Sequence, residues 1–171
     1  MFLDGLKMST EEQIDSDSED RKKQIRQKAV ALLAVRERSR YGLRTKLREL
    51  FDENEDRDLI ESVLDFLEEK KYLSDERYAK SRITTRASRY GDSRLKFELK
   101  REHISEEAVE AAFEGLEETE YDRAFRIWER KFGETTKDPK EKARQFRFLA
   151  SRGFSFKTIQ RIVNGESDED W

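Results

Sequence analysis

Cysteine is absent from the 171 residues, and histidine occurs once, at His103. Together these absences remove disulfide frameworks, thiolate nucleophiles, zinc fingers and His-rich metal sites. The seven glycines are Gly5, Gly42, Gly91, Gly115, Gly133, Gly153 and Gly165, and no two lie within five residues of each other. Neither a dinucleotide loop nor a Walker-type phosphate loop can be written from them, so nucleotide hydrolysis has no motif. Long apolar runs are missing as well, since none approaches the ~18 residues of a membrane span. The opening MFLDGLKMSTEEQIDSDSED is acidic where an export signal is basic. These absences lead us to expect a cytoplasmic protein off the membrane, without cofactor or metal.

Charge is abundant instead: 44% of the residues are Asp, Glu, Lys or Arg, against 35% apolar, so a large core is not expected. The net charge of −3 conceals a segregation along the chain. Residues 1–20 carry −6, 21–48 +10, 49–76 −9, 77–103 +6, 104–122 −8, 123–163 +8 and 164–171 −4. The sign oscillates with a period near 50, which signals repeats, because a small unit that cannot bury its apolar face alone buries it against a copy.

The copies are visible. Ser39-Arg40-Tyr41-Gly42 recurs 49 residues later as Ser88-Arg89-Tyr90-Gly91, and Ile60, Val63, Leu64 and Leu67 recur as Val109, Ala112, Phe113 and Leu116. At an offset of 50, Leu99, His103, Ile104, Ser105, Val109 and Phe113 fall on Leu149, Gly153, Phe154, Ser155, Ile159 and Val163. Apolar residues recur at three and four within each copy, which is helical, and no stretch alternates as a strand does. Ser39, Asp56, Ser74, Asp92 and Ser105 read as helix starts, with Asp20 opening the first helix and Ser155 the last. Thr119 with Asp122 reads as a capping box, and Asp138-Pro139 as a cap and first turn.

The expectation is an all-α fold of three tandem three-helix repeats, 21–73, 74–118 and 119–164, forming an elongated, curved array. The acidic segment 1–20 and the acidic tail 165–171, which ends in Trp171, are expected to be disordered. Tyr121, Phe125, Trp128 and Phe132 share one helical face and read as core.

Basic residues also align. Arg82, Arg86 and Arg89 stand at i, i+4 and i+7, Arg123, Arg126 and Arg130 at i, i+3 and i+7, and Lys140, Arg144 and Arg147 at i, i+4 and i+7. With Arg94, Lys96, Lys100, Arg101 and Arg152 they form the candidate electrostatic binding surface. Like charges at these spacings cost a few tenths of a kcal/mol per pair, so an anionic partner should compensate. That partner is either internal, the acids Glu61, Asp65, Glu68 and Glu69 and then Glu106, Glu107, Glu110 and Glu114, or external, a phosphate backbone or an acidic protein surface. Tyr90, beside Arg89, either stacks on a base or packs under a turn. Catalytic carboxylate pairs need burial to shift their pKa values, and these acids lie on faces without an apolar rim, so no catalytic residues are expected.

Tyr72-Leu73-Ser74-Asp75-Glu76-Arg77-Tyr78-Ala79, then Tyr90-Gly91, Leu95, Glu98-Leu99 and Ile104, and finally Phe148-Leu149-Ala150-Ser151-Arg152-Gly153-Phe154-Ser155, resemble in order and spacing the segments of the RecX family of bacterial recombinase regulators. His103 stands where that family usually has glycine, and Ser74 where it has an acid. The resemblance implies a modular all-helical protein that binds the RecA filament on single-stranded DNA and restrains its growth, and with it ATP hydrolysis, strand exchange and repressor cleavage. It transfers no catalytic residue. The residues alone leave a stand-alone DNA-binding protein of helix-turn-helix-like units as an alternative, and a monomer is expected.

Overall fold

The computed structural model describes residues 10–167, and these form nine α-helices with no strand among the described residues. They are α1 (Thr10–Val35), α2 (Arg40–Leu50), α3 (Arg57–Glu69), α4 (Asp75–Arg86), α5 (Asp92–Arg101), α6 (Glu106–Glu114), α7 (Glu120–Lys131), α8 (Pro139–Ala150) and α9 (Phe156–Asn164). The chain divides into two compact units between Ser74 and Asp75.

The first unit packs α1, α2 and α3 around Ile25, Leu43, Leu47, Ile60, Leu64 and Leu67, all fully buried and all at helical spacing. The second unit holds two three-helix groups. In one, α4 lies along α6 and closes over Ile83, Leu95, Leu99 and Val109. In the other, α7 and α8 pack on α9 around Trp128, Leu149, Phe154 and Ile159.

Side-chain oxygens start the helices where the sequence places them. Ser39 Oγ accepts from the Gly42 amide at 2.8 Å, Ser105 Oγ from Ala108 at 3.2 Å and Ser155 Oγ from Thr158 at 3.3 Å. Thr119 and Asp122 complete a reciprocal capping box, and Asp138 accepts from Lys140 at 3.1 Å with Pro139 in the first turn. The offset of 50 is also a spatial equivalence. His103 (φ 58°) and Gly153 (φ 79°) are both left-handed, and each is followed by a residue whose amide donates back to the helix, Ile104 to Leu99 at 3.2 Å and Phe154 to Leu149 at 3.4 Å. Both ends are Schellman motifs, one of which tolerates histidine in place of glycine.

Three expectations change. Helix α1 begins at Thr10, so residues 10–20 are helical and Asp20 is no start. Nucleation is already met by the packed turns around Ile25 and Ala29, and each preceding residue adds one hydrogen bond at little cost. The recurrence of Ser-Arg-Tyr-Gly is not structural: Ser39 caps α2 with Arg40 already helical, whereas Ser88, Arg89 and Tyr90 form the turn before α5, whose cap is Gly91. Of the aromatic face, Trp128 is buried and Tyr121 and Phe132 are half-buried, but Phe125 is 36% exposed, lying between Tyr121 and Trp128 on the helix surface. Residues 1–9 and the tail end 168–171 with Trp171 lie outside the described residues.

Candidate polyanion-binding site

In the first unit the internal partner is realised. Arg40 bridges Glu61 at 3.0 Å, Asp65 at 2.7 Å and Glu68, while Arg44 grips Glu61 with both Nε (2.6 Å) and Nη2 (2.9 Å). The Arg44 hydrogen bond outweighs burial and holds the Glu61 carboxyl below its usual range. Arg21 does the same for Asp56, which it meets at 2.7 Å and whose side chain is almost fully enclosed. The arginines of α2 are therefore matched by acids of α3.

The second unit is different. Glu106, Glu107, Glu110 and Glu114 are exposed on α6, with no ion pair to an arginine among the described residues. A residue the charge pattern did not single out, Glu98 on α5, collects Arg86 at 2.7 Å, Arg94 at 3.4 Å and Arg82 at 3.6 Å. Burial disfavours its charge, but the three guanidiniums, Arg86 foremost, outweigh that and keep the carboxyl below its ordinary range.

Arg123 is 2% exposed and donates to the carbonyls of Ala87 and Tyr90, both at 3.0 Å, and to Asp92. It belongs to the packing of α7 against the turn after α4 and is withdrawn from the binding surface. Its place in the arginine stripe hid this, because helical spacing fixes a face but not what covers that face. Arg126 pairs with Glu118 and Arg144 with Glu141 at 3.2 Å. Lys96 rests over Phe113, 5.3 Å from the ring centre. Lys100, Arg101, Lys140 and Arg147 are exposed. Four predicted residues converge: Arg89, Arg94, Arg130 and Arg152 line one recess of about 560 Å³, with Lys131 as a fifth cation.

The turn after α4, the start of α5 and the ends of α7 and α8 build this recess, and its remaining walls include Tyr90, Ile127 and Phe148. No carboxylate lines it. Each aromatic ring carries two cations: Arg94 at 4.2 Å and Arg86 at 4.4 Å from the centre of Tyr90, and Arg152 at 3.9 Å and Lys131 at 4.6 Å from that of Phe148. Tyr90 thus serves as a platform for arginines. Three helix C-termini and one N-terminus meet here, together worth about −1 elementary charge, and Glu98 is shared with Arg94, which still leaves most of the five positive charges uncompensated. Arg89 and Arg130 are exposed and have no acidic partner among the described residues. Lys131 sits one residue off the Arg123–Arg126–Arg130 spacing, which is why periodicity missed it. The signal that could have found the recess is the pair Tyr90-Gly91 and Arg152-Gly153, two glycine turns each beginning with a ring or a cation.

Among the described residues, no three His, Asp or Glu side chains are grouped to hold a metal ion, and no helix is long and apolar enough to cross a membrane. Fold and site together define a helical-repeat protein with a cationic recess between its second and third three-helix groups.

Residues 74–112 match the second three-helix domain of RecX and residues 118–163 the third. The regulatory protein RecX of Ralstonia nicotianae is 40% identical over 82% of this chain and 87% of its own length, and that of Pseudomonas putida is 40% identical over 86% and 94%. The fold is shared with a crystal structure of RecX from Lactobacillus salivarius, at a TM-score of 0.70 and 20% identity over 85% of this chain and 96% of that one. The chain belongs to the RecX family of regulatory proteins.

Proposed function

We propose that this protein binds the RecA filament on single-stranded DNA in the cytoplasm and restrains its extension, ATP hydrolysis and strand exchange, as well as repressor cleavage, without chemistry of its own. The family likeness supports the choice of partner. The observation that carries the electrostatic part is the recess of Arg89, Arg94, Arg130, Lys131 and Arg152, of which only Arg94 meets a carboxylate, that of Glu98, among the described residues. A net charge of −3 disfavours indiscriminate wrapping of duplex DNA, so attraction is focused where the cations converge. Addition of the full chain to preformed recombinase filaments should slow ATP hydrolysis and shorten the filaments, less so as salt rises. Unchanged hydrolysis and length at concentrations where binding is seen would overturn the reading.

A further inference from the structure

The filament offers two kinds of negative charge, nucleic-acid phosphate and protein carboxylate, and the recess has the chemistry to choose between them. Its two free guanidiniums, Arg89 and Arg130, have forked donors that suit either anion. Its other guanidiniums are different, because Arg94 and Arg152 lie over the rings of Tyr90 and Phe148, their central carbons 4.2 and 3.9 Å from the ring centres, and Glu98 also holds Arg94 at 3.4 Å. Guanidiniums held over rings in this way lose little entropy on binding, and a guanidinium face is a stacking surface that a base can use and an aspartate or glutamate side chain cannot. Shape adds a second restriction. A concavity of about 560 Å³ falls in the ~300–1,000 Å³ range of sites that enclose a small ligand. A single strand can lay a nucleotide into it, whereas a duplex, with its bases stacked inside a stiff rod, meets only the rim.

Resting on the filament reading, we propose that the recess is a phosphodiester site for single-stranded nucleic acid, in which Arg89 and Arg130 bind phosphates and the planes of Arg94 and Arg152 stack a base. The order of preference is single strand, then duplex, then acidic peptide.

The test uses the full chain and three probes without recombinase: a fluorescent oligothymidylate, a duplex of equal length and an oligoglutamate. Wild type should bind the oligothymidylate most tightly. Arg89→Gln with Arg130→Gln should weaken that binding by on the order of tenfold and lower the slope of log affinity against log salt by about 1.4, two phosphates at ~0.7 each for single strands. Arg126→Gln with Arg144→Gln removes the same charge from residues that already have acidic partners and should change little. Ultraviolet crosslinking of an iodouracil oligonucleotide should label Tyr90 or Phe148. Equal affinity of both double variants, preference for the peptide, or crosslinks elsewhere would overturn the proposal. Loss of filament restraint in the Arg89/Arg130 variant with oligothymidylate binding intact would also overturn it, leaving the filament reading standing. Intact cleft-dependent binding with no effect of wild type on filaments would sustain the proposal and sink the filament reading.

Discussion

The amide of Gly91 donates to the carbonyl of Arg152 at 2.9 Å, joining the turn before α5 to the turn after α8. The contact exists because neither turn carries a side chain at its closest point. A Cβ on Gly91 would overlap the backbone of Gly153 and Phe154, and a Cβ on Gly153 would overlap the Cβ of Arg94. Gly153 also has φ of 79°, where only glycine is unstrained. These two residues directly follow Tyr90 and Arg152 of the cationic recess.

Gly91→Ala should therefore force the two three-helix groups of the second unit apart and cost about 1–3 kcal/mol, the usual price of overpacking. The urea midpoint should fall, and anion binding by the recess should weaken in the same variant. Gly115→Ala, where a Cβ meets nothing closer than 3.6 Å, is the control. Similar stability for both variants would contradict the contact.

Arg123→Met should be more damaging than any exposed arginine substitution. It strips partners from the carbonyls of Ala87 and Tyr90 and from Asp92, at about 1–3 kcal/mol for groups left unsatisfied. Arg126→Met, at a half-exposed pair, should change stability by ~0–1 kcal/mol. Denaturant unfolding of the two variants decides between them, and equal midpoints would return Arg123 to the surface.

Glu120 is a second fastener. Its Oε1 accepts from the amides of Asp92 (3.0 Å) and Ser155 (3.2 Å), and its Oε2 from the hydroxyls of Ser155 (2.6 Å) and Thr158 (2.9 Å). Glu120→Gln places an NH2 donor among donors and should lower thermal stability clearly, whereas Glu117→Gln, on an exposed turn residue, should not. Hydrogen exchange at the Asp92 amide should accelerate in Glu120→Gln, and an unchanged rate would refute the role.

Acid should loosen both units. Hydrogen bonds from Arg21 and Arg44 hold Asp56 and Glu61 below the usual carboxylate range, and the arginines around Glu98, overcoming its burial, hold it there too. Because the folded values lie below the unfolded ones, this stabilisation is complete above the unfolded values, ~4, and is lost as pH falls through the folded ones. Urea midpoints measured from neutral pH down to about pH 3 should drop most steeply below pH ~4, and Glu61→Gln should flatten that drop. An identical pH profile for the variant would show that the Arg44 pair contributes nothing.

Much of this architecture could be read from residue order. The equivalence of Ser105 with Ser155 and of His103 with Gly153 survives in space because a cap and a left-handed turn are local events, set by a few neighbouring residues. The Ser-Arg-Tyr-Gly recurrence fails for the complementary reason: identical tetrapeptides fall on opposite sides of a helix start, and only the surrounding packing says which. The basic stripes were legible as faces of helices, yet a stripe spans several environments. Arg123 is buried, Arg126 pairs with Glu118, and Arg130 opens into the recess, all on α7. Glu98, noted only within a family segment, was not read as a charge partner because that role depends on three arginines drawn from two helices. Composition could not forecast that convergence.

The most direct test of the central claim titrates recombinase ATP hydrolysis on single-stranded DNA with wild type and with the two double variants, Arg89→Gln/Arg130→Gln and Arg126→Gln/Arg144→Gln. Both remove two positive charges, so net charge is matched. If the cationic recess grips the filament, the first variant should need on the order of tenfold more protein for the same inhibition, and the second within about twofold of wild type. Equal shifts in the two variants, or no inhibition by wild type, would contradict the account.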